Sequence, residues 1–438
     1  MSSDELRTLA DDCVHCGFCL PACPTYLLWG READSPRGRI YLMKAGFEDR
    51  APSPESFKRH IDACLGCMAC VTACPSGVRY DRLIEGARPM VESGGTRSLA
   101  DRWHRALLFA LFPHPARLRW LARLLGIVQA LGLQRLVRAS GLTRLLPARL
   151  AALERLTPTV SASATAIPAL IPAEGARRRR VGMLLGCVQR VFFPDVNAAT
   201  VRVLTAEGCE VHVPPEQGCC GALALHAGRP DEARASARRL IDVFATANVE
   251  EIVINAAGCG SAMKEYGDLL RDDPAYAEKA RAFAAKCVDV SELLTGLEPV
   301  AVRHPMPLRV AYHDACHLRH AQGVQAQPRQ LLRAIPGVEL CEIAEGDVCC
   351  GSAGIYNLLE PEAAGALRDR KVANVLRTDA DVLVSANPGC LLQIASGLEP
   401  AGRPIKTLHL VELLDQSISR SRRDRDQDSA RRPDRTPS

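Results

Sequence analysis

From residue 181 onward, short apolar runs alternate with longer stretches patterned as helices. The strand-like runs include "VGMLLG" (181–186), "EIVIN" (251–255) and "DVLVSAN" (381–387); the helical stretches include 231–247 and 361–377. That alternation predicts βαβ units and a parallel sheet. Upstream, residues 96–155 read as Leu/Arg-rich helices broken at Pro113, Pro115 and Pro147. Residues 156–176, "TPTVSASATAIPALIPAEGAR", read as a linker, and residues 1–95 as short helices between cysteine runs. The last stretch, 416–438, carries seven Arg and four Asp and is expected to be disordered. The expected fold class is α+β: a mostly helical unit (1–95), a basic helical segment and linker (96–176), two α/β units (177–300 and 301–415) and a tail.

The two α/β units are copies of one another. "GCEVHVPPEQGCCGALALHAG" (208–228) aligns with "GVELCEIAEGDVCCGSAGIYN" (337–357), and "VEEIVINAAGCGSAM" (249–263) with "DADVLVSANPGCLLQI" (379–394). The offsets are 129 from Cys187 to Cys316, 130 from Cys219 to Cys349 and 131 from Cys259 to Cys390. Near-constant offsets at three landmarks mark a duplication. The pattern places the cysteines at the carboxyl ends of strands.

Length and composition narrow the chemistry. A chain of 438 residues suits two or three domains, and 47% hydrophobic residues can build a sizeable core. Aromatic residues make up 4%, too few for a base-stacking surface, so no nucleic-acid partner is expected. The N-terminus is polar and no run of eighteen apolar residues occurs, which predicts a cytoplasmic chain without a membrane span. In a reducing compartment, the 19 cysteines are expected not to form disulfides and to serve mainly as metal ligands. Residues 101–155 hold ten Arg against Asp101 and Glu154, a local +8 in a chain of net +5. This basic face reads as one packed on partner subunits or on the cysteine-rich unit. The alternative is peripheral attachment to the anionic inner face of the membrane.

Two runs, "CVHCGFCLPACP" (13–24) and "CLGCMACVTACP" (64–75), share one spacing. Zinc usually takes its four ligands as two separated pairs. Here three cysteines at i, i+3 and i+6 form one tight loop, a pitch that wraps one face of a cubane, and a fourth precedes proline. The runs resemble those of bacterial two-cluster ferredoxins, in which the fourth cysteine serves the other cluster. That resemblance implies two [4Fe–4S] clusters, one on Cys13, Cys16, Cys19 and Cys74, the other on Cys64, Cys67, Cys70 and Cys23. The long gap between Cys23 and Cys64 is expected to hold helices, as in the helical ferredoxin modules of respiratory dehydrogenases.

Each copy of the later repeat holds a cysteine, an adjacent pair with glycine, and a last cysteine. The sets are Cys187, Cys219, Cys220, Cys259 and Cys316, Cys349, Cys350, Cys390. Adjacent cysteines rarely bond each other without strain, so a shared metal site is their expected use. Gly221 and Gly351 would turn the backbone tightly against a bulky group, with Gly258 and Gly389 there for the same reason. The pattern resembles the CCG domain of heterodisulfide-reductase-like proteins, which implies a further iron–sulfur cluster. That family's fifth cysteine, three residues after the last, is absent: Ala262 and Gln393 stand there, with Ile394 beside the latter. Cys209, Cys287 and Cys341 have no counterpart in the repeat and read as core residues. In "YHDACHLRH", His313 and His317 flank Cys316; a ligand or proton-relay role is weighed against structural histidines, the latter favoured.

No GxGxxG, Walker loop or HExxH occurs, so no flavin or nucleotide is expected on this chain. The segment "CPTYLLWGREADSPRGRIYLMKAG" (23–46), the second cysteine run and the two CCG repeats together resemble the glycolate oxidase iron–sulfur subunit family. The resemblance covers residue 10 to about residue 414, and "SPRGR" followed by "IYLMK" is its most specific piece. It implies an electron-transfer subunit, inactive on substrate alone, working with flavin-containing subunits that oxidise glycolate to glyoxylate. Electrons would pass toward a quinone or another acceptor. Lactate and anaerobic glycerol 3-phosphate dehydrogenases are the near alternatives. A catalytic CCG half acting on a disulfide and a zinc-stabilised scaffold are the readings of other classes.

Overall fold

The computed structural model describes residues 3–47, 53–160, 166–402 and 405–419. The N-terminal unit is helical, with Ser3–Asp11, Pro36–Phe47, Pro54–Asp62 and Tyr80–Ser93 packing Leu6, Ala10, Ile40, Met43, Ile61, Leu83 and Ile84 into one core. Helix Pro54–Asp62 begins at a serine cap. Ser53 accepts the Ser56 amide at 3.3 Å, and proline occupies the first turn, where its missing N–H costs nothing.

The basic segment forms helices Leu99–Leu111, Pro115–Ala130, Leu133–Ala139 and Ala148–Arg155, broken near the expected prolines. It is clamped to the N-terminal unit by nearly buried ion pairs: Arg97 with Asp62 at 2.9 Å and Glu92 at 2.8 Å, and Arg105 with Asp62 at 3.7 Å. Its other face stays in solvent. Trp120, Leu124, Ile127, Leu131, Leu136 and Leu145 are exposed, interleaved with exposed Arg119, Arg123, Arg135 and Arg138. No single helix among the described residues is long and apolar enough to cross a membrane. The Pro115–Ala130 and Leu133–Ala139 pair passes that test together but bends by 67°.

Two sheets follow. The first contains β1 (Leu170–Ile171), β2 (Arg179–Met183), β3 (Cys209–His212), β4 (Glu251–Ile254) and β5 (Cys287–Asp289), in the order β1-β3-β2-β4-β5. The second contains β6 (Leu308–His313), β7 (Val338–Glu342), β8 (Val382–Ser385) and β9 (Lys406–His409), in the order β7-β6-β8-β9. All neighbours are parallel except β1, which pairs antiparallel with β3 through Ile171 and Val211. The end of the expected linker is therefore an edge strand of the first sheet.

In each copy the first strand is central, with the second on one flank and the third on the other. This creates a switch point between β2 and β4, and another between β6 and β8. Val181 pairs with both Val211 and Glu251, and Val310 with both Leu340 and Val382. Strand β8 is buried at every residue, as parallel strands covered on both faces must be.

The two copies share one apolar core. Val181, Met183 and Val253 from one sheet join Val310, Tyr312 and Val384 from the other, bridged by Leu293, Leu294, Leu331 and Leu413. Residues 410–419 are helical and bury Ile418, so the first residues of the expected tail belong to the fold; 420–438 lie outside the described residues. Cys209 and Cys287 are buried core residues as expected. Cys341 is not: it is half-buried, because β7 is an edge strand.

Candidate metal centres

Both N-terminal cysteine runs fold alike. The second residue after the leading cysteine and the one after the second cysteine are left-handed: His15 and Gly17 at φ 53° and 90°, Gly66 and Met68 at 65° and 62°. Two such residues in four curl the chain so that three sulfurs converge. Equivalent turns follow, Leu20 N–H to Gly17 C=O at 3.0 Å and Val71 N–H to Met68 C=O at 3.0 Å. A side chain at Gly17 would press on Arg37 as well as strain the backbone.

Cys13, Cys16, Cys19 and Cys74 line one recess, and Cys23, Cys64, Cys67 and Cys70 line its neighbour; Cys70, Pro36 and Tyr80 wall both. Among the described residues, no carboxylate lines either recess. Four thiols without a hard oxygen donor select a soft metal, and the residues fit a [4Fe–4S] cluster in each recess. Cys16 is exposed, whereas the four cysteines of the second recess are buried.

The second recess carries its own positive charge. Arg39, almost wholly buried, donates to His60 C=O at 2.6 Å and Thr25 Oγ1 at 3.1 Å, lies 3.7 Å from Asp34 and reaches within 4.0 Å of Cys23 Sγ. Arg88, also buried, donates to Cys64 C=O at 2.8 Å. At Cys64 burial pushes the thiol up, but Arg39, Arg88 and hydrogen bonds from Tyr80 Oη and the Gly66 amide outweigh it and lower its pKa. Cys67 and Cys70 lack such compensation, and burial raises them well above the ordinary thiol range. The sequence reading singled out neither arginine; for Arg39 the signal lay in "SPRGR". It supplies Arg37 to the first recess and Arg39 to the second, and Gly38 between them lies where any side chain would run into the Glu32 carbonyl.

In the repeats, all eight cysteines stand beyond the carboxyl ends of strands at the two switch points, where such folds place ligands. Cys187 and Cys219 share a hydrogen bond that raises the first thiol and lowers the second, and Cys220 lies against both Cys219 and Cys259. In the second copy Cys316 Sγ lies 3.9 Å from Cys349 Sγ, Cys350 lies against Cys349 and Cys390, and Asn387 Nδ2 donates to Cys390 Sγ at 3.2 Å. Four convergent thiols in each copy fit a soft metal centre.

The glycines act differently from expectation. Gly221 and Gly351 have φ of 80° and 87°, but the group pressing on them is the next helix: a Cβ would lie 3.0 Å from Ala233 C=O or 2.6 Å from Ala364 C=O. Gly258 and Gly389 have no left-handed φ.

The second repeat touches the N-terminal unit. Cys67 packs in one apolar cluster with Cys316 and Cys349, and Thr72 Oγ1 meets His320 Nδ1 at 2.8 Å. His317 opens a π-helical turn, His317–Ala321, and stacks on His226 of the first repeat with centroids 5.0 Å apart and planes 3° apart. These rings, Arg88, Cys64, Leu65, Leu223 and Ile355 line a third recess where the units meet. Burial keeps both imidazoles neutral, lowering His226 well below the usual range and His317 to about 4. His226 Nδ1 and Nε2, His317 Nε2 and Arg88 Nη1 have no hydrogen-bond partner among the described residues.

Comparison with known proteins agrees with this architecture. Residues 9–78 match the 4Fe-4S dicluster domain, residues 181–264 and 310–395 the cysteine-rich domain, and residues 100–157 the linker region of the glycolate oxidase iron-sulfur subunit. A probable glycolate oxidase iron-sulfur subunit of Bacillus subtilis is 42% identical over 92% of this chain and 93% of its own length. The glycolate oxidase iron-sulfur subunit of Escherichia coli is 39% identical over 95% and 96%. Lactate utilization protein A of an Exiguobacterium species is 33% identical but spans 55% of this chain. A crystal structure of a hypothetical protein from Helicobacter pylori, at 8% identity, shares the fold with a TM-score of 0.54, covering 87% of this chain and 68% of that one. With two relatives more than a third identical over nearly the full length of both chains, and with the glycolate oxidase linker region matched, the chain belongs to the glycolate oxidase iron–sulfur subunit family.

Proposed function

We propose that this chain carries electrons from flavin-containing partner subunits, which oxidise glycolate to glyoxylate, toward a quinone at the membrane. The observation that carries the reading is the unbroken succession of cysteine sites from surface to interior. Exposed Cys16, flanked by exposed Val14 and Phe18, opens it; Cys70 walls both N-terminal recesses; Cys67 then packs on Cys316 and Cys349.

In this reading Cys13, Cys16, Cys19 and Cys74 hold one [4Fe–4S] cluster and Cys64, Cys67, Cys70 and Cys23 the other, with the repeat cysteines as a further site. When bound, such clusters supply one-electron transfer, at potentials that the surrounding charge and hydrogen bonds tune. The chain's own part is to fix the thiolates with left-handed loops. Arg39 and Arg88 offset their negative charge, and the close packing of Leu65, Tyr356 and Leu367 excludes water. Val14 and Phe18 suit docking of the flavin-containing partner.

The junction recess suits the acceptor. It adjoins Cys64, and its neutral imidazoles and bare Arg88 Nη1 match the carbonyl oxygens of a quinone ring. The apolar, Arg-edged face of Pro115–Ala139 suits an anionic membrane surface, where helices of this composition lie in the interface plane.

The test is co-purification of the chain with its partners, followed by quinone reduction driven by glycolate, D-lactate and glycerol 3-phosphate in turn. Glycolate should be preferred by the complex, and the isolated chain should turn over none of them. Preference for D-lactate or glycerol 3-phosphate would overturn the substrate assignment, and turnover by the isolated chain would overturn the division of labour.

A further inference from the structure

The two repeats differ where their ligands gather. In the second copy His313, the last residue of β6, lies three residues before Cys316; at the same place in the first copy stands Leu184. One nitrogen of His313 and the sulfurs of Cys350 and Cys390 all lie within 4.8 Å of one another, and all three residues are buried, His313 with 1% of its surface exposed. Neither ring nitrogen of His313 has a hydrogen-bond partner among the described residues.

A neutral imidazole has one donor and one acceptor, and leaving either bare in the interior carries a desolvation cost. Packing alone does not account for that cost, since Leu184 fills the matching place in the first copy without it. The neighbouring polar groups are engaged elsewhere. Asp314 is held by Arg319 and Arg329, each at 2.8 Å, and Lys371 Nζ by Glu345 C=O. Ser385 Oγ donates to the His313 carbonyl at 3.0 Å, which pins the backbone beneath the ring. Asn387, whose amide meets Cys390 Sγ, has only Ala256 as its counterpart.

We infer that the second cysteine-rich unit binds a thiophilic transition metal through His313, Cys350 and Cys390. The metal is a zinc ion or the iron of a cluster that Cys316 and Cys349 complete. Both are soft enough for a nitrogen and sulfur donor set. The inference does not depend on which substrate the partner subunits oxidise. It requires only that the second unit binds metal.

The experiment uses the full chain, reconstituted anaerobically with iron and sulfide or titrated with zinc chloride. Metal content is counted, and the ligand shell is read by X-ray absorption at the zinc and iron edges and by nitrogen coupling in pulsed electron resonance. Wild type should bind metal beyond the roughly eight irons of two four-iron clusters. That extra metal should show a nitrogen neighbour, at about 2.0–2.1 Å if it is zinc. His313→Leu, which copies the first repeat, should lose the nitrogen signal and weaken the metal of the second unit at least tenfold, while the eight irons and any all-sulfur metal of the first unit stay. His313→Cys should restore binding with an all-sulfur shell. The absorption edge carrying the nitrogen tells zinc from iron. If wild type binds no extra metal, or binds it with no nitrogen neighbour, the inference is overturned. The same holds if His313→Leu keeps metal and nitrogen unchanged. Should His313→Leu fail to fold, the wild-type nitrogen signal and the sulfur shell of His313→Cys decide alone.

Discussion

Replacing Arg39 by methionine should lower the reduction potential of the second N-terminal site without unseating its four thiols. The guanidinium is 1% exposed and reaches within 4.0 Å of Cys23 Sγ. A unit charge at that distance is worth about 4 kcal/mol at an effective dielectric of 20. An added electron shared over a whole cluster lies roughly twice as far away, which halves the figure to about 2 kcal/mol, or about 90 mV at 59 mV per tenfold. Methionine fills much of the volume but leaves the Asp34 carboxylate, among the described residues, with His60 at 2.7 Å, and leaves the Thr25 hydroxyl and the His60 carbonyl short of a donor. Breaking a buried pair costs about 3–5 kcal/mol, so the thermal midpoint should fall as well. Arg39→Lys keeps the charge and should hold the potential within about 30 mV, by the same Coulomb estimate, while still losing the fork to Thr25 and His60. Arg37→Met is the control. That side chain is a quarter exposed and paired with Glu32 at 2.6 Å, so solvent and the carboxylate screen it, and the first site should move by less than about 20 mV. The assay is a redox titration of each variant followed by electron resonance. Equal shifts for Arg39→Met and Arg37→Met, or a potential in Arg39→Met unchanged from wild type, would refute the argument.

Three further outcomes follow from particular contacts. Cys16→Ala and Cys74→Ala should damage one electron-resonance signal and Cys23→Ala the other; loss of a common signal in Cys16→Ala and Cys23→Ala would make the two runs independent sites. Asp289, buried at the start of helix Val290–Gly296, is raised by burial to about 6 from an ordinary 3.8. The folded state therefore holds its proton more tightly than the unfolded chain, and stability falls as pH rises from about 4 to about 6. Asp289→Asn keeps an acceptor for the Ser291 amide and should gain up to about 3 kcal/mol at pH 7 and nothing at pH 4; an equal effect at both would point to packing instead. Finally, the chain should bind vesicles containing phosphatidylglycerol more tightly than neutral ones, less so in high salt, and Ile127→Asp with Leu131→Asp should reduce that binding at least tenfold. Retained binding in the double variant would place the contact elsewhere.

Much of this protein could be read from neighbours along the chain, because that is where periodicity and spacing reside. The alternation of apolar runs with helical stretches, the prolines that break residues 96–155 and the constant offsets of the repeat are local patterns, and the strands and helices appear where those patterns put them. The cysteine spacing pointed to iron, and family resemblance suggested that Cys23 and Cys74 cross between the runs. In the structure Cys74 lines a recess with Cys13, Cys16 and Cys19, and Cys23 one with Cys64, Cys67 and Cys70, with Cys70 walling both. What no local pattern carried is which distant groups share a dry interior. A stretch read as linker supplies β1, because its partner β3 lies far along the chain and only the fold brings Ile171 beside Val211. Cys341 reads as core and sits at an edge, because strand order, not strand composition, decides exposure. Arg39 beside Cys23, His317 stacked on His226, and His313 beside Cys350 and Cys390 each join residues from separate segments. Charge and imidazole read as solvated surface in a sequence. Only packing removes them from water, and it is that desolvation which turns them into groups able to set a potential or hold a metal.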